Sequence, residues 1–230
     1  HSDSLALDHL LKINEHLITL FAKIPNALLE LKTKSNHVDH LLSIPHGGKT
    51  LISWSINPKE VVEKDEHKTA KLHERLIAAR KASDVGYKIA FHIDPMIYYS
   101  DWEKGYQDLV EQIFDNIPPE RIEWISFGTL RYISSLKSIS QKRFPQSEVF
   151  IGEFIRSEDG KMRYLKKIRQ LMYKNVQDKI NKLAPKIPTY ICMDKQTVWE
   201  KTMPFLPKTP KEVETHITSK LLKNTVMNNV

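Results

Sequence analysis

The sequence predicts an α/β fold with a mostly parallel sheet. Short apolar, β-branched or aromatic runs alternate with longer stretches of helical periodicity, and this order is typical of βαβ units. Two of the runs end in a proline, at Asn57-Pro58 and Asp94-Pro95, and proline cannot donate to a sheet ladder. The pattern leaves open whether the sheet closes into a barrel. The predicted strands are 27–32, 50–56, 87–93, 122–127, 149–154 and 189–193.

The longer stretches have the apolar spacing of amphipathic helices. They are 5–21, 69–82 and 102–114. Ser100-Asp101 can cap the third helix, and Pro118-Pro119 stops it before the next strand. A chain of 230 residues can form one sizeable core. We expect one α/β domain over residues 1–200 and a tail over 201–230, which is either a loosely held helix or without regular structure.

Positive charge is concentrated in one part of the chain. The formal net charge is +7, and fourteen Lys or Arg stand against five Asp or Glu between Arg131 and Lys186. The phosphates of a nucleic acid would need such a patch, whereas the alternative is a solvated lysine-rich helix face. Charge alone leaves both interpretations open.

Cysteine usage and hydropathy indicate a reducing compartment. Cys192 is the single cysteine, which excludes a disulfide within the chain and a zinc site built from several cysteines. No basic segment followed by an apolar run marks an export signal, and no apolar stretch is long enough to span a bilayer. We therefore expect a cytoplasmic protein without a membrane partner.

Polar residues just past predicted strands are the first candidates for a ligand site. Proteins of the α/β class bind ligands at the carboxyl ends of their strands. The Ser55 hydroxyl and the Asn57 amide can bind the ribose or carboxylate of a ligand, or can simply close a turn. The candidate positions are Lys34, 55–57, 92–94 and 128–131.

Two other groups have both a functional and a structural interpretation. The His-Val-Asp-His segment at 37–40, with His46 and His92, offers metal donors, but its carboxylate would point away from the face that the two histidines share. A helix cap or a buried hydrogen bond is the alternative. Glu30 and Lys32 alternate with leucines, so they line the polar interior of a closed barrel or the exposed face of an open sheet.

Arg163 and Tyr164 begin the basic segment 161–174. A guanidinium beside an aromatic ring can bind a phosphate and stack on an exposed base. The periodicity also predicts an amphipathic helix over this segment, with Tyr164, Leu165 and Leu171 among the residues that face the core. The two interpretations are compatible.

Several separate motifs resemble spore photoproduct lyase in order and spacing. The similarity runs from about Ser2 to about Trp199. The motifs are KTKSNHVDHLL from Lys32, GKT from Gly48, SWSIN from Ser53, GYKIAFH from Gly86, DPMIY from Asp94, WEKGY from Trp102 and WISFGTLR from Trp124. The last of these resembles the bacterial branch outside the classical spore formers.

The resemblance implies a partial parallel (β/α) barrel of the radical S-adenosylmethionine (SAM) type, without its first strands. In that superfamily a CxxxCxxC loop binds a 4Fe–4S cluster through three thiolates, and SAM bound there is cleaved to a 5′-deoxyadenosyl radical. In spore photoproduct lyase this radical abstracts hydrogen from a methylene-bridged thymine dimer in DNA, which reverts to two thymines.

The resemblance also implies site residues. Lys34 matches a lysine near the SAM carboxylate, Ser55 matches a SAM-contacting serine, and Asp3 falls beside the cofactor at the end of the family's second strand. Arg163-Tyr164 matches an Arg-Tyr pair that contacts the lesion and its flanking phosphate. We add Asn57 and Asp94 as cofactor-binding candidates, because both directly follow predicted strands.

The chain departs from the family at its cysteines. The cluster-binding loop is absent, so the full-length protein would carry the SAM and iron–sulfur cofactors, and this chain alone is expected to be inactive. The family's hydrogen-donating cysteine falls at His1, which can also be a cleavage or tag remnant. A partial barrel exposes its open side, so we expect association there or its occupation by the C-terminal tail.

Three hypotheses remain at this level. The first is part of a radical SAM lyase that repairs DNA, or of a radical SAM relative with another substrate. The second is a cluster-free module that binds nucleic acid through 131–186. The third is a basic α/β domain whose function the sequence does not show.

Overall fold

The computed structural model describes residues 3–227, with the side chains of the last helix described through Thr218. The strands are β1 (Leu29–Thr33), β2 (Thr50–Ser55), β3 (Lys88–Met96), β4 (Ile122–Thr129), β5 (Arg131–Tyr132), β6 (Phe154–Arg156), β7 (Met162–Tyr164) and β8 (Thr189–Ile191). The α-helices are α1 (Asp8–Leu11), α2 (Ile13–Phe21), α3 (Lys59–Asp65), α4 (Leu72–Asp84), α5 (Trp102–Asn116), α6 (Ser134–Arg143), α7 (Lys166–Leu183), α8 (Gln196–Trp199) and α9 (Pro210–Met227).

Five of the strands form a parallel sheet within the described residues, in the order β1-β2-β3-β4-β8. Parallel pairing requires long crossover connections: β1 is joined to β2 through a short 3-10 helix at Asp39–Leu41, and the later crossovers contain α-helices. Most of β2, β3 and β4 is buried, and the main core packs one face of the sheet against α4, α5 and α7. Five of the six predicted strands are therefore confirmed in this sheet.

The opposite face of the sheet carries a smaller apolar cluster. Leu51, Ala90 and Trp124 form it, and Ile217 of α9 packs against it. The tail thus forms a helix that covers part of the inner face near β4 and β8. This is the end of the sheet opposite to β1, the strand that the lacking first strands would adjoin, so association through the open side or its occupation by the tail stays a prediction.

The three remaining strands form a small antiparallel sheet in the order β5-β7-β6. Here the expected strand at 149–154 is wrong, since it begins only at Phe154. Gly152 has φ +113, which an extended run of side-chain-bearing residues does not adopt, and Ile151 N–H closes a turn onto Glu148 O at 2.9 Å. The fifth of the six apolar runs therefore ends in a turn rather than forming a core strand.

The helix expected from residue 161 begins only at Lys166. A turn at Ser157–Gly160, closed by Gly160 N–H to Ser157 O at 2.9 Å, folds Met162–Tyr164 back as a hairpin strand against β6. Leu171, expected in the core, is exposed. Likewise the helix expected at 5–21 is divided, because Lys12 has φ 53. Among the described residues no helix has the length and apolarity needed to cross a membrane.

Candidate functional site

At the carboxyl ends of β1 and β2, one buried carboxylate binds two cations. Lys34 Nζ lies 2.8 Å from Glu66 Oε1, and Arg75 Nη2 lies 2.6 Å from Glu66 Oε2. Burial opposes ionisation of Glu66, but the charges of Lys34 and Arg75 outweigh it and lower the pKa of the carboxyl below 4.5. The Lys34 ammonium is therefore held in a fixed place at the edge of the sheet.

Arg75 anchors this arrangement to the sheet. Its side chain is 0% exposed. The guanidinium donates to Ser55 O at 2.9 Å, to Ala70 O at 2.8 Å and to Thr69 Oγ1 at 2.7 Å. Because backbone carbonyls of β2 and of the loop before α4 accept these bonds, the Glu66 carboxylate is positioned by the main chain.

Asn57 joins the same network from the end of β2. Its Nδ2 donates to Glu66 Oε1 at 2.9 Å, and its Oδ1 accepts from Tyr106 Oη at 3.0 Å. Tyr106 Oη in turn accepts from Ile97 N–H at 2.7 Å. Ser55 is buried and joins the network through its backbone carbonyl, which accepts from Arg75. Lys34 and Asn57 thus meet at Glu66, and Ser55 is linked to them through Arg75.

Asp3 accepts hydrogen bonds that hold the backbone at this edge of the sheet. Its Oδ1 accepts from Leu5 N–H and Ala6 N–H, both at 2.9 Å, and from Thr33 Oγ1 at 2.6 Å. Its Oδ2 accepts from Lys34 N–H at 2.6 Å. Asp3 belongs to no strand of the described structure, so its expected place at the end of the family's second strand stays a prediction; it lies beside the end of β1 and fixes the backbone at Lys34. It also lines a cleft of about 330 Å³ that Lys34 borders.

Asp94 lies further along the carboxyl edge, apart from the Glu66 network. A Cβ on Gly128 would lie 2.7 Å from Asp94 Cγ, so the glycine of β4 leaves room for this carboxylate. Arg131 Nη2 is 3.8 Å from Asp94 Oδ2, and Arg131 Nη1 donates to Cys192 O at 3.2 Å. Asp94 therefore faces an arginine, not the Lys34 ammonium.

Arg163 and Tyr164 lie in β7, and their side chains have different surroundings. Arg163 Nη1 and Nη2 donate to the two oxygens of Asp159 at 2.6 and 2.7 Å. This pair lowers the pKa of the Asp159 carboxyl. Arg163 borders a second cleft, of about 460 Å³, together with Arg169 and Asp194, which form an ion pair.

Tyr164 is 0% exposed. Its ring stacks on Phe154 with centroids 4.5 Å apart, and its hydroxyl accepts from Tyr98 N–H at 3.1 Å. Burial raises the pKa of this phenol. In this arrangement the ring cannot stack on a base, so the stacking expected of Tyr164 is wrong. The ring lies in the aromatic core beneath the hairpin of β6 and β7.

A polar chain crosses the inner face of the sheet. Glu30 Oε1 accepts from Ser53 Oγ at 2.7 Å and lies 2.9 Å from His92 Nε2, while His92 Nδ1 lies 2.6 Å from Ser126 Oγ. Burial raises the pKa of Tyr190, which hydrogen-bonds Ser126, to about 12. The large sheet is open among the described residues and both Glu30 and Lys32 are exposed, so of the two interpretations the exposed face of an open sheet is the observed one.

The histidine segment does not form a metal centre among residues 3–227, where no cluster of three or more His, Cys, Asp or Glu side chains is suited to a metal. His40 Nε2 lies 2.7 Å from Asp8 Oδ2, and the His37 ring packs edge-on against His9. Asp39 pairs instead with Lys81 at 2.8 Å. The alternative of buried hydrogen bonds is therefore the observed one for His40.

Sequence reasoning missed Glu66 and Arg75. A signal for Arg75 was present, because it follows Leu72 by three residues and precedes Ala79 by four, on the apolar side of α4. A charged residue at such a position needs a buried partner. Glu66 lies in a polar loop and carried no comparable signal.

These features define an α/β protein with a candidate ligand site at the carboxyl edge of a parallel sheet, where Glu66 holds the Lys34 ammonium and the Arg75 guanidinium. The family model for spore photoproduct lyase matches residues 1–194. The chain belongs to the spore photoproduct lyase family.

Individual relatives agree with this assignment. The chain is 32% identical over 154 residues to a spore photoproduct lyase of Bacillus subtilis and 30% identical over 154 residues to one of a Geobacillus species. In each case the match covers 66% of this chain and 45% of the relative, so the chain spans about half the length of these relatives.

Solved structures of the family have the same fold. A spore photoproduct lyase complexed with dinucleoside spore photoproduct superposes with a TM-score of 0.73 and 26% identity, over 83% of this chain and 58% of that one. A variant with bound AdoMet and the same dinucleoside gives a TM-score of 0.71 at 26% identity, with the same coverage. The expected partial parallel barrel of the radical SAM type is confirmed.

Proposed function

We propose that the protein containing this chain is a DNA-repair lyase that reverts the methylene-bridged thymine dimer to two thymines. The observation that carries the proposal is the Lys34 ammonium, which Glu66 holds beside Ser55 at the carboxyl edge of a sheet whose family match spans residues 1–194. The relatives' bound AdoMet and dinucleoside spore photoproduct support both ligands for this family.

SAM fits this edge. Lys34 Nζ uses one of its three N–H groups on Glu66 and can donate the others to the carboxylate of the cofactor. The buried Ser55 hydroxyl can donate to a second polar atom. When bound, SAM supplies a 5′-deoxyadenosyl group for hydrogen abstraction. In this proposal Asn57 and Asp3 orient Lys34 through Glu66 and the backbone, and Asp94 lines the edge further along.

An iron–sulfur cluster does not fit this chain by itself. Three thiolates hold such a cluster in the superfamily, and the chain has the one cysteine, Cys192, whose carbonyl accepts from Arg131. We therefore derive no step through the cluster and assign it to the remainder of the protein. His1, at the family's hydrogen-donor position, lies outside the described residues.

Arg163 is the residue proposed to contact DNA. Its guanidinium borders the cleft beside Arg169, and its exposed partner Asp159 can be replaced by a phosphate. Tyr164 supports the hairpin from beneath. The proposal places the protein in the cytoplasm with the DNA, and treats residues 201–230 as a segment added to a barrel of residues 1–200.

The test uses the full-length gene product with a reconstituted cluster. We expect 5′-deoxyadenosine and thymine to be released from irradiated DNA, and Lys34→Met to weaken SAM binding at least about tenfold, since it removes a charge-assisted hydrogen bond. Lys68→Met, in the same cleft, is the matched control. A protein that cleaves SAM but leaves the dimer intact would be a radical enzyme with another substrate.

The second candidate function is a cluster-free module that binds nucleic acid through residues 131–186. The +9 balance of that stretch, fourteen basic against five acidic residues, favours it. Binding of DNA by this chain that weakens steeply with salt is expected under both functions. Absence of SAM binding to the reconstituted full-length protein would leave this second function as the better one.

A further inference from the structure

Helix α6 presents apolar side chains to solvent. None of its residues is buried. Ile133, which precedes the helix, is 59% exposed, and Leu136 and Ile139 within it are 43% and 58% exposed. Their spacing of three residues places them on one side of the helix. A surface helix of a globular protein normally turns such a stripe inward.

The contacts of α6 explain this orientation. Lys137 and Ser140 are its half-buried residues, and Lys137 Nζ lies 6.0 Å from the ring centroid of Phe154 in β6. The helix thus packs on the small sheet through a lysine and a serine, and the aliphatic stripe is directed outward. An exposed apolar stripe that the fold maintains in this way marks an interaction surface.

The charge of α6 restricts the partner. The helix contains Lys137, Lys142 and Arg143 and no acidic residue. Lys142 and Arg143 are exposed, and the Arg143 guanidinium lies 5.8 Å from the ring centroid of Phe144. A partner must therefore offer negative charge beside apolar surface. Nucleic acid does so, with phosphates next to base faces.

The position of α6 agrees with this partner. Strand β5 ends one residue before Ile133, and Arg131 of β5 is in register with Arg163 of β7. The helix therefore begins beside the arginine that is proposed to contact the lesion strand.

We propose that α6 is a second DNA contact, in which Ile133, Leu136 and Ile139 pack against an unstacked base step while Lys142 and Arg143 bind the flanking phosphates. Proteins that distort a duplex combine apolar wedges with cations in this manner. The inference rests on the proposed function for its ligand and adds to it the element that opens the stack.

The test uses this chain and a duplex with 2-aminopurine beside a thymine pair. Fluorescence anisotropy gives the affinity and its salt dependence, and 2-aminopurine emission reports unstacking. We expect Leu136→Ser with Ile139→Ser to abolish the rise in emission and weaken binding by about tenfold or more, because two aliphatic side chains lose their burial. Leu10→Ser with Ile77→Ser, two exposed positions on other helices, is the matched control.

The cations give an independent readout. We expect Lys142→Ala with Arg143→Ala to reduce the slope of log affinity against log salt by about 2, one for each lost phosphate contact, whereas the apolar double variant keeps the slope. Lys59→Ala with Lys104→Ala, on α3 and α5, is the charge-matched control. All substituted side chains are exposed, so each variant is expected to fold.

Three results overturn the proposal for α6. In the first, both double variants bind and unstack DNA like the parent chain. In the second, the apolar double variant loses binding to anionic vesicles and keeps its binding to DNA. In the third, the parent chain binds no DNA at low salt. In each case release of thymine by the full-length protein still decides the proposed repair function. If the α6 variants bind DNA like the parent chain and Arg163→Met weakens DNA binding, Arg163 remains the DNA contact and α6 is excluded as a second one.

Discussion

The two ends of the sheet's carboxyl edge use charge differently. At β1 and β2, one buried carboxylate, Glu66, serves Lys34 and Arg75 together, and Asn57 donates to the same oxygen as Lys34. On the side of β4 and β8, where the small sheet and α7 adjoin, Arg131, Arg163 and Arg169 each pair with an aspartate of their own. Arg163, for example, pairs with Asp159, which is 44% exposed.

The difference suits two kinds of ligand. A carboxylate held by Arg75 and the backbone keeps the Lys34 ammonium in place before a small ligand arrives, which reduces the cost of ordering on binding. The Arg163 side chain is 11% exposed and its partner Asp159 is 44% exposed, so the aspartate can turn into water while a phosphate takes its place beside the guanidinium. The first end thus resembles a preorganised pocket, and the second a surface for a polyanion.

The largest effect should follow from Arg75→Met. The substitution leaves Glu66 buried with Lys34 as its remaining cation and removes the donors to Ser55 O and Ala70 O. We expect a loss of about 3–5 kcal/mol in the free energy of unfolding, as for other broken buried pairs. Urea unfolding followed by circular dichroism measures it.

Arg121→Met is the matched control, because Arg121 pairs with Asp84 at the surface with 47% of its side chain exposed. It should cost about 0–1 kcal/mol. Equal losses for the two variants would contradict the view that the β1–β2 end is held by a buried network.

Glu66→Gln should have the next largest effect, about 1–3 kcal/mol at neutral pH, since both cations lose their anion while the shape is kept. The effect depends on pH. The folded pKa of Glu66 lies below its ordinary 4.5, so its ionised form contributes stability that is fully present above about pH 4.5 and is lost as the pH falls through the folded pKa.

Urea denaturation curves of the parent chain and of Glu66→Gln between pH 7 and pH 3 test the direction of this pH dependence. The difference in stability between parent and variant should shrink as the pH falls. Other carboxyls with lowered pKa values, such as Asp8 and Glu30, titrate in both proteins and cancel in the difference. A difference that stays constant or grows toward low pH would show that Glu66 is not held in its charged form.

Most of the fold was predictable, because the strands of the large sheet are apolar runs. One expected strand end is wrong, since β3 continues through Pro95 to Met96. The failures have local causes. Gly152, with its positive φ, breaks the run at 149–154, and the turn closed at Gly160 converts the start of a helical pattern into a hairpin strand. Such turns depend on single backbone conformations, which periodicity does not register.

The sequence predicts which polar residues gather at the strand ends better than it predicts the carboxylate that binds them. Lys34, Ser55 and Asn57 follow strands whose ends meet, so their convergence could be expected. Glu66 reaches them from a loop after α3, and its contact with Arg75 arises only once α4 packs beside β2. For Tyr164 the residue type allowed stacking on a base, and only the tertiary structure shows that Phe154 already occupies that face.

Tyr164→Phe tests the buried role of that ring at the other end. The ring can still stack on Phe154, but Tyr98 N–H loses its acceptor, so we expect a loss of about 1–2 kcal/mol in unfolding free energy. DNA affinity should stay the same because the hydroxyl is buried. A fall in affinity without a change in stability would show that the hydroxyl reaches the ligand.

Asp159→Asn should have the smallest effect on stability, but its effect on DNA binding still distinguishes the Arg163 end of the sheet from the Lys34 end. It frees the Arg163 guanidinium from a competing anion, so DNA should bind about three- to tenfold more tightly, with a salt slope steeper by about 1. Asp178→Asn removes the same charge from the exposed pair with Lys174 and controls for net charge. If the two variants gain DNA affinity equally, the change in net charge explains the effect. If Asp159→Asn alone gains affinity, Arg163 exchanges its aspartate for a phosphate. Lys34 cannot make such an exchange, because its partner Glu66 is also held by Arg75.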